Sequence, residues 1–392
     1  MNPPKSIEIS LDRQTLELFT DGKPVRTFTI SSGEKGMGFA EGSFRTPTGR
    51  FAISEKIGAG EPINTRFEAR VPVGIWDPAD FSEDDLILTR IMRLAGLDPE
   101  NANTMERYIY IHGTNREDLI GTPASHGCIR LTNADMVELF DAVGEGTEVT
   151  ISPLTRSRAK LLFVDCDSTL SSIEGIDELA RMSNPAIFAE VVGLTNAAMD
   201  GEVPLSEVFG KRMEIIKPNR EIADKVSQCY LDHIVPGAGD MIRNAKENGW
   251  LPVIVSGGFA PLIAPLAKHL GIRHVEAVPL FFNDSGEYAG YGEDYPTTRN
   301  LGKNEIIREW RAALLPERVV MIGDGVSDLE TKPDVDAMVG FGGVVVREKV
   351  KVGADLWVTD FLNNPQLDEF LTCSLLGTSS HNFLTCKVGL SS

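Results

Sequence analysis

The chain has 392 residues, of which 42% are hydrophobic, so it is long enough for two or three domains with ordinary buried cores. Its formal charge of −19 argues against nucleic acid or an anionic membrane surface as a partner. The five cysteines are scattered and odd in number, which does not indicate a disulfide framework.

The beginning of the chain leads directly into strand-like sequence. Met1-Asn2-Pro3-Pro4-Lys5 has no signal-peptide core, and no apolar run in the chain approaches the length of a transmembrane helix. These features favour the cytoplasm, while a periplasmic or cell-envelope location stays open if a leader has been removed.

Short alternating stretches in the first half predict antiparallel β structure. Hydrophobic residues alternate over 7–11, 16–18 and 25–30, with Asp21-Gly22 placed as a hairpin turn. Further along, Asn133 is predicted to cap a helix that Gly144 ends.

A cysteine and two histidines define a candidate site in this first half. The strand Tyr108-Ile109-Tyr110-Ile111 is predicted to end at His112-Gly113-Thr114, and Ser125-His126-Gly127-Cys128 follows. A lone cysteine is usually a small buried apolar residue. The polar residues and glycines here are poor composition for a core strand, however, and suit a backbone oxyanion cradle. Because an imidazole can take the proton of a thiol, the pattern predicts a thiolate nucleophile.

Residues 1–152 resemble the catalytic domain of L,D-transpeptidases, through these segments and Thr46-Pro47-Thr48-Gly49-Arg50-Phe51. The resemblance implies a mainly-β domain in which Cys128 forms a thioester with a peptidoglycan stem tetrapeptide, and a second amine then resolves it. It implies that His112 is the base and that His126 orients the loop.

The remaining roles in this domain also follow from the resemblance. The N–H groups of Gly127 and Cys128 would face the oxyanion, and Arg130 would hold the site or a substrate carboxylate. An alternative is that residues 1–152 bind peptide stems or a partner protein without turning them over. The reactivity of Cys128 separates the two.

Two acidic loops follow apolar strands in the second half. Asp165-Cys166-Asp167-Ser168-Thr169 comes after the run 161–164, and Gly323-Asp324-Gly325-Val326-Ser327-Asp328 comes after the run 319–322. Because the ends of parallel strands form the ligand crevice of an α/β sheet, the four aspartates are predicted to converge. Like charges held together need a cation, and carboxylates favour Mg²⁺.

Phosphate-binding features lie between these loops. The run 252–255 leads into Ser256-Gly257-Gly258-Phe259, which is predicted to be a strand-to-helix turn whose N–H groups point at an anion. Lys303 precedes another helical segment and can neutralise a phosphate oxygen. An isolated Asp-x-Asp is commonly a solvated turn. The order of all these pieces favours a phosphoryl-transfer site.

The region from about 159 to 362 resembles the haloacid dehalogenase superfamily, and within it the phosphoserine phosphatases. The segments that carry the closer resemblance are Glu174-Gly175-Ile176-Asp177-Glu178-Leu179, Met199-Asp200-Gly201, Arg212, Gly286-Glu287-Tyr288-Ala289-Gly290 and Gly340-Phe341-Gly342-Gly343. The resemblance implies an α/β Rossmann-like domain with a helical cap at about 171–235.

It also implies the roles of the acidic residues. Asp165 would be the nucleophile that forms an aspartyl-phosphate, and Asp167 would protonate the leaving serine oxygen and later activate water. Asp165, the backbone carbonyl of Asp167 and Asp324 would bind Mg²⁺, with Asp328 supporting its waters. The phosphate would be held by Ser256, Gly257 and Lys303.

Substrate choice is assigned to the cap. Glu174 can pair with an ammonium and Arg212 can bind a carboxylate, so together they recognise the charged ends of an amino acid. Leu205 stands where relatives often carry an aromatic residue, and Asp200 adds negative charge; both bear on substrate affinity. Another small phosphomonoester is an alternative substrate, against which Glu174 and Arg212 argue.

The sequence therefore predicts a multidomain, multifunctional enzyme. Its mainly-β L,D-transpeptidase-like domain spans 1–152, its haloacid dehalogenase domain spans 159–362, and the tail 363–392 carries no readable motif. The predicted reaction is the Mg²⁺-dependent hydrolysis of O-phosphoserine to serine and phosphate, as in serine biosynthesis. In the alternative, only the phosphatase is active.

Overall fold

The structure of the protein is a computed structural model, and it describes residues 4–80, 82, 84–184, 186–199, 203, 205–362 and 364–372. The chain divides into two compact units: Met1–Ala159 with Arg308–Glu317, and Lys160–Ile307 with Arg318–Ser392. The expectations about Asp200 and about the tail beyond 372 concern residues outside the described ranges, and so does that about the Leu205 side chain. Among the described residues, no helix is both long and apolar enough to cross a membrane.

The first unit is built on one large sheet. The strands described in it are β1 (Lys5–Ser10), β2 (Thr15–Thr20), β3 (Lys23–Thr29), β4 (Gly49–Ile57), β5 (Thr65–Glu68), β6 (Val71–Ile75), β7 (Ile87–Gly96), β8 (Tyr110–Thr114), β9 (Ile129–Leu131) and β10 (Glu148–Ser152). Their order is β3-β2-β1-β10-β4-β7-β5-β6, and β8 pairs with both β7 and β9. Most pairs are antiparallel, while β1 with β10 and β8 with β9 are parallel.

The predicted hairpin between β2 and β3 is confirmed. Thr20 lies opposite Lys23, so the loop consists of Asp21 and Gly22 alone. Both loop residues have positive φ, 51° and 70°, which is the backbone of a type I′ turn and matches the twist of the flanking strands. Alternation along β1 and β2 buries one face of the hairpin in the core of the unit.

The helix of the first unit begins one residue away from where its cap was predicted. In α1 (Asn133–Ala142) the N-cap is Thr132, whose hydroxyl accepts a hydrogen bond from the Asp135 N–H at 3.1 Å. Asn133 is buried, and its carboxamide oxygen accepts from the Thr89 hydroxyl at 2.6 Å. A tertiary contact therefore takes the side chain that sequence assigned to capping.

The second unit is built on a parallel six-stranded sheet. Its strands are β11 (Lys160–Val164), β12 (Trp250–Phe259), β13 (His274–Val278), β16 (Arg318–Gly323), β17 (Ala337–Phe341) and β18 (Leu356–Val358), with a separate antiparallel pair of β14 (Leu280–Phe282) and β15 (Tyr288–Tyr291). The order in the sheet is β13-β12-β11-β16-β17-β18. β11 lies inside the sheet, so its apolar run is buried on both faces.

Helices connect these strands. The described ones are α2 (Gly175–Ser183), α3 (Phe188–Met199), α4 (Leu205–Ile216), α5 (Arg220–Asp232), α6 (Ala238–Glu247), α7 (Ala260–His269), α8 (Gly302–Leu314), α9 (Val326–Leu329), α10 (Glu348–Gly353) and α11 (Pro365–Thr372). The helices α2 to α5, here called the helical insertion, lie between β11 and β12. They pack on the same hydrophobic core as the sheet.

The register of the central strands positions the candidate site of this unit. Val164 at the end of β11 lies beside Ile254 of β12 and Ile322 of β16. The three loops that follow these strands therefore leave the same edge of the sheet. In open α/β sheets this edge is where ligands bind.

Candidate active sites

The first site of the second unit forms around Asp165, immediately after β11. The backbone N–H of Asp165 donates to Ile322 O at 2.9 Å, and the residue is only 7% exposed. Lys303, in the first turn of α8, places its Nζ 2.8 Å from Asp165 Oδ1 and 2.6 Å from Asp328 Oδ1. The structure thus brings a lysine from the first turn of α8 onto the carboxylates of Asp165, after β11, and of Asp328, in α9.

Three of the four predicted aspartates form one cluster. A carboxylate oxygen from each of Asp165, Asp324 and Asp328 lies within 4.8 Å of the others, and all three residues are buried. Asp324 also accepts from the Thr169 hydroxyl at 3.1 Å and from the Arg347 guanidinium at 2.9 Å. The prediction that all four carboxylates converge was wrong for Asp167, whose carboxylate hydrogen-bonds to other partners.

The electrostatics of this cluster fit a cation. Burial, and then the charge of Asp165, raise the pKa of Asp324 to about 7 and that of Asp328 to about 8. Lys303 and Arg347 offset only part of this repulsion, because both carboxyl groups still titrate far above their usual range. Buried oxygen ligands at this spacing suit a hard divalent ion such as Mg²⁺.

Asp167 lies apart from this cluster and is held by the helical insertion. Its Oδ1 accepts from the Tyr230 hydroxyl at 2.6 Å and from the Gly175 N–H at 2.9 Å, and its Oδ2 accepts from Ser256 Oγ at 3.4 Å. Burial, followed by the charge of Asp165, raises the pKa of Asp167 to about 6. A carboxyl group with this pKa can both hold and release a proton near neutral pH.

The predicted substrate residues line one cavity with these aspartates. The cavity measures about 380 Å³ and is bordered by Asp165, Asp167, Glu174, Arg212, Gly257 and Lys303. Arg212 is 3% exposed, and burial raises the pKa of Glu174 well above its usual range. Glu174 accepts a hydrogen bond from the Ser168 hydroxyl at 2.7 Å. The structure therefore places both predicted recognition residues beside the predicted nucleophile.

The glycine-rich segment differs from its predicted conformation. Residues 256–259 belong to the end of β12 rather than to a turn, and α7 begins at Ala260. The Gly258 N–H donates to Ser256 Oγ at 2.9 Å, so it is already bonded within the segment. The pairing of β12 with β13 shifts register between Val255 and Phe259, so the strand is irregular over the glycine-rich segment.

Three residues that hydrogen-bond to the aspartates of the site had no local signal in the sequence. Thr169 and Arg347 hold Asp324, and Tyr230 holds Asp167. Each acts across a long stretch of chain, so no spacing pattern points to it. Only Thr169 stands in a segment that the sequence had already singled out.

The candidate site of the first unit contains a histidine in an unexpected position. The strand predicted to end at His112-Gly113-Thr114 does end at Thr114 as β8, whose five residues are all buried. The expectation that this composition is poor for a core strand was wrong, because β8 is central between β7 and β9, where ladder pairing outweighs composition. His112 Nδ1 lies 2.8 Å from Gly113 O, which fixes the imidazole ring.

Cys128 lies next to β8 because β9, which it precedes, runs parallel to that strand. Its Sγ accepts from the Tyr110 N–H at 3.4 Å, and a cavity of about 280 Å³ is lined by Cys128, His112 and His126. Burial raises the pKa of Cys128 to about 12 and lowers the pKa of His112. At neutral pH the resting site therefore holds a thiol and a neutral imidazole, which does not support the expectation of a resting thiolate.

Two groups near Cys128, one backbone N–H and one side chain, already have hydrogen-bond partners. The Gly127 N–H donates to the Ser125 hydroxyl at 3.1 Å, which argues against the predicted oxyanion contact. Arg130 is 1% exposed and bonds to Asp85 at 2.9 Å and to the Ser31 hydroxyl at 2.7 Å. Of its two predicted roles, holding the site fits this burial, and binding a substrate carboxylate does not.

His126 has an exposed side chain. Its ring packs edge-to-face against Phe44, with centroids 5.6 Å apart, on the border of the same cavity. This contact ties the His126 ring to Phe44, and the role of orienting the loop before Cys128 stays a prediction.

Comparison with known proteins yields two family matches along the chain. A model of the L,D-transpeptidase catalytic domain, YkuD, matches residues 4–151. A model of haloacid dehalogenase-like hydrolases matches residues 162–331.

Related proteins of known activity are similar to the second half of this chain. The phosphoserine phosphatase of Bos taurus is 36% identical over 200 residues, which cover 50% of this chain and 88% of that protein. The chloroplastic phosphoserine phosphatase of Arabidopsis thaliana is 36% identical over 215 residues, or 54% of this chain and 72% of that protein. A solved phospho-aspartyl intermediate analogue of phosphoserine phosphatase has a TM-score of 0.46 and 25% identity, covering 52% of this chain and 94% of that one.

Proposed function

We propose that the protein hydrolyses O-phosphoserine to serine and phosphate, because the chain belongs to the phosphoserine phosphatases, which are haloacid dehalogenase-like hydrolases. The chain also carries an L,D-transpeptidase catalytic domain. The observation that carries this proposal is the shared cavity of Asp165, Asp167, Glu174 and Arg212. In the proposal, these four residues supply a nucleophile, a proton donor and two recognition charges around one space. Proposed domain limits are 1–152 and 159–362, with the cap at 171–235.

In the proposed reaction Asp165 attacks the phosphorus atom. As the new bond forms, the bond from phosphorus to the serine oxygen breaks, and Asp167 gives its proton to that oxygen. Water then attacks the aspartyl-phosphate and passes a proton to Asp167, and the bond from Asp165 to phosphorus breaks. Lys303, 2.8 Å from Asp165, neutralises a phosphate oxygen throughout.

The acidic cluster is proposed to hold Mg²⁺. Asp165 and Asp324 would bind it with the backbone carbonyl of Asp167, and Asp328 would support its waters. When bound, the ion offsets the negative charge of the phosphate and the carboxylates. The buried carboxylates supply the oxygen donors, and their raised pKa values are the cost of holding them together without it.

Recognition of serine is proposed to rest on opposite charges. Arg212 binds the substrate carboxylate and Glu174 binds the ammonium, while Ser256 and Gly257 contact the phosphate. Both Arg212 and Glu174 come from the helical insertion or its start, so the insertion would select the leaving group. Phosphoserine, rather than a neutral phosphomonoester, matches this pair.

The substitution Asp165→Asn tests the nucleophile. An amide does not attack phosphorus, so phosphate release from O-phosphoserine should fall to background while the circular dichroism spectrum stays that of the wild type. Asp240→Asn is the matched control, because Asp240 is exposed on α6 and pairs with Arg243. Retained turnover in Asp165→Asn, measured with Mg²⁺ present, would remove Asp165 from the mechanism.

A second activity is proposed for the first domain. The observation that supports this proposal is that Cys128 and His112 border one cavity, with the His112 ring fixed by Gly113 O. With Nδ1–H donating to that carbonyl, Nε2 is free of its proton and can accept the one on the Cys128 thiol when an acyl donor is bound. The donors proposed are peptidoglycan-type stem peptides.

Acylation by a carbapenem separates this activity from the binding-module alternative. Intact-protein mass spectrometry should show one adduct on the wild type, none on Cys128→Ser and slow formation on His112→Ala. Cys229→Ser is the matched control, since Cys229 lies in the other unit and should leave the adduct unchanged. A wild type that hydrolyses phosphoserine but forms no adduct would favour the non-catalytic reading of residues 1–152.

A further inference from the structure

Tyr230, near the end of α5, donates a hydrogen bond from its hydroxyl to Asp167 Oδ1 at 2.6 Å. We propose that Tyr230 is a positioning residue for proton transfer to the leaving group, acting through Asp167. The proposal rests on the proposed phosphatase function and adds a residue to it. The phenol hydroxyl is the donor in this contact and the carboxylate oxygen of Asp167 is the acceptor.

The hydrogen bonds to Asp167 distinguish its two oxygens. Oδ1 accepts from both Tyr230 and the Gly175 N–H, which occupies its two lone pairs. Oδ2 has the longer contact of 3.4 Å to Ser256 Oγ. With Oδ1 occupied, Oδ2 is the oxygen left to carry and deliver the proton.

The local packing is shaped around the Tyr230 hydroxyl. A Cβ atom added to Gly175 would lie 1.9 Å from that oxygen, so only glycine permits the approach. Tyr230 is fully buried, so water does not compete for its hydroxyl. Ser171 Oγ, in the loop after Asp167, lies 3.1 Å from both Tyr230 O and His233 O, which ties the end of α5 to that loop.

These contacts give Tyr230 a role that depends on the leaving group. A serine oxygen must gain a proton as its bond to phosphorus breaks, whereas nitrophenolate is stable without one. If Tyr230 aims the proton on Asp167, then its hydroxyl matters for the first kind of substrate and hardly for the second.

The test compares Tyr230→Phe with the wild type on two substrates. We expect kcat/KM for O-phosphoserine to fall about tenfold or more, mainly through kcat, and that for p-nitrophenyl phosphate to change less than about twofold. The ratio kcat/KM includes only the steps through phosphoryl transfer to Asp165, so later hydrolysis does not mask the difference. Tyr291→Phe is the matched control, because Tyr291 packs against Phe209 and Phe259 beside the site.

Equal losses on both substrates, or no loss on phosphoserine, would overturn the proposal and leave Tyr230 a packing residue. In an Asp167→Asn background, Tyr230→Phe should cause no further loss on O-phosphoserine, because the group through which it acts no longer donates a proton. If Tyr230→Phe fails to fold, 3-fluorotyrosine at 230 retains the hydroxyl but makes it a more acidic donor, so the ratio of kcat/KM on the two substrates should shift, and an unchanged ratio would overturn the proposal. A wild type inactive on phosphoserine would refute the proposed function instead, and an alkyl phosphate that it does hydrolyse would then replace phosphoserine.

Discussion

Replacing Arg212 by Ala tests substrate recognition. Arg212 is 3% exposed and lines the cavity with Glu174 and Asp167, so solvent screens a carboxylate bound there very little. A charge-assisted hydrogen bond is worth about 1.5–3 kcal/mol, which corresponds to a loss of roughly 10- to 150-fold in kcat/KM for O-phosphoserine. The loss should appear mostly as a higher KM.

The matching substrate is O-phosphoethanolamine, which has the ammonium and the phosphate but no carboxylate. Phosphate release by the wild type and by Arg212→Ala on both substrates forms a double-mutant cycle between Arg212 and that carboxylate. We expect a coupling close to the full loss, with phosphoethanolamine nearly unaffected. Arg181→Ala is the control, because Arg181 is 55% exposed on α2 and pairs with Glu178.

Equal losses on the two substrates would refute this reasoning. Arg212 would then stabilise the helical insertion or the acidic residues around it rather than the substrate. A fall in the thermal unfolding midpoint of the variant, absent in Arg181→Ala, would support that structural role.

Three further predictions concern the buried charges. Lys303→Ala leaves Asp165 and Asp328 without their cation, so the free energy of unfolding in urea should fall by about 3–5 kcal/mol, whereas exposed Lys268→Ala should change it little. The pKa of Asp324 is raised to about 7 and that of Asp328 to about 8, so the folded protein retains protons that the unfolded chain, with pKa values near 4, has released. Their contribution to the free energy of unfolding is therefore full below about pH 4 and is lost as pH rises toward 8. When unfolding is measured in EDTA, Asp328→Asn should reduce this loss of stability. An identical pH profile for the variant and the wild type would contradict the prediction. Because burial raises the pKa of Cys128 to about 12, its alkylation by iodoacetamide should accelerate about tenfold per pH unit from 7 to 10, and a plateau below pH 8 in mass spectrometry would show an activated thiolate instead.

The local pattern of the sequence was sufficient to predict which acidic strand ends meet in the second unit. Apolar runs that end in Asp165 and in Gly323-Asp324 predicted parallel strands with acidic ends, and the register of β11 with β16 places those ends side by side. Parallel strands of one sheet end at the same edge, so acidic residues after them can be predicted to meet even when the loop conformations are unknown. The hairpin at Asp21-Gly22 was predictable for a similar reason, because its residue types determine the turn.

Burial and long-range pairing decided the rest. Sequence composition around His112 was judged poor for a core strand, but pairing on both sides of β8 buries His112 within the sheet. Cys128 has a motif typical of a nucleophile, yet its pKa depends on how tightly the folded chain surrounds the sulfur.

The orientation of Asp167 is the clearest example. Its partner Tyr230 is 63 residues away, and it reaches Asp167 only because α5 packs beside the loop after β11. A motif specifies which residue types are present at one strand end. Which oxygen of a carboxylate is held, and by which donor, depends on side chains from distant segments, and those come together only when the core packs.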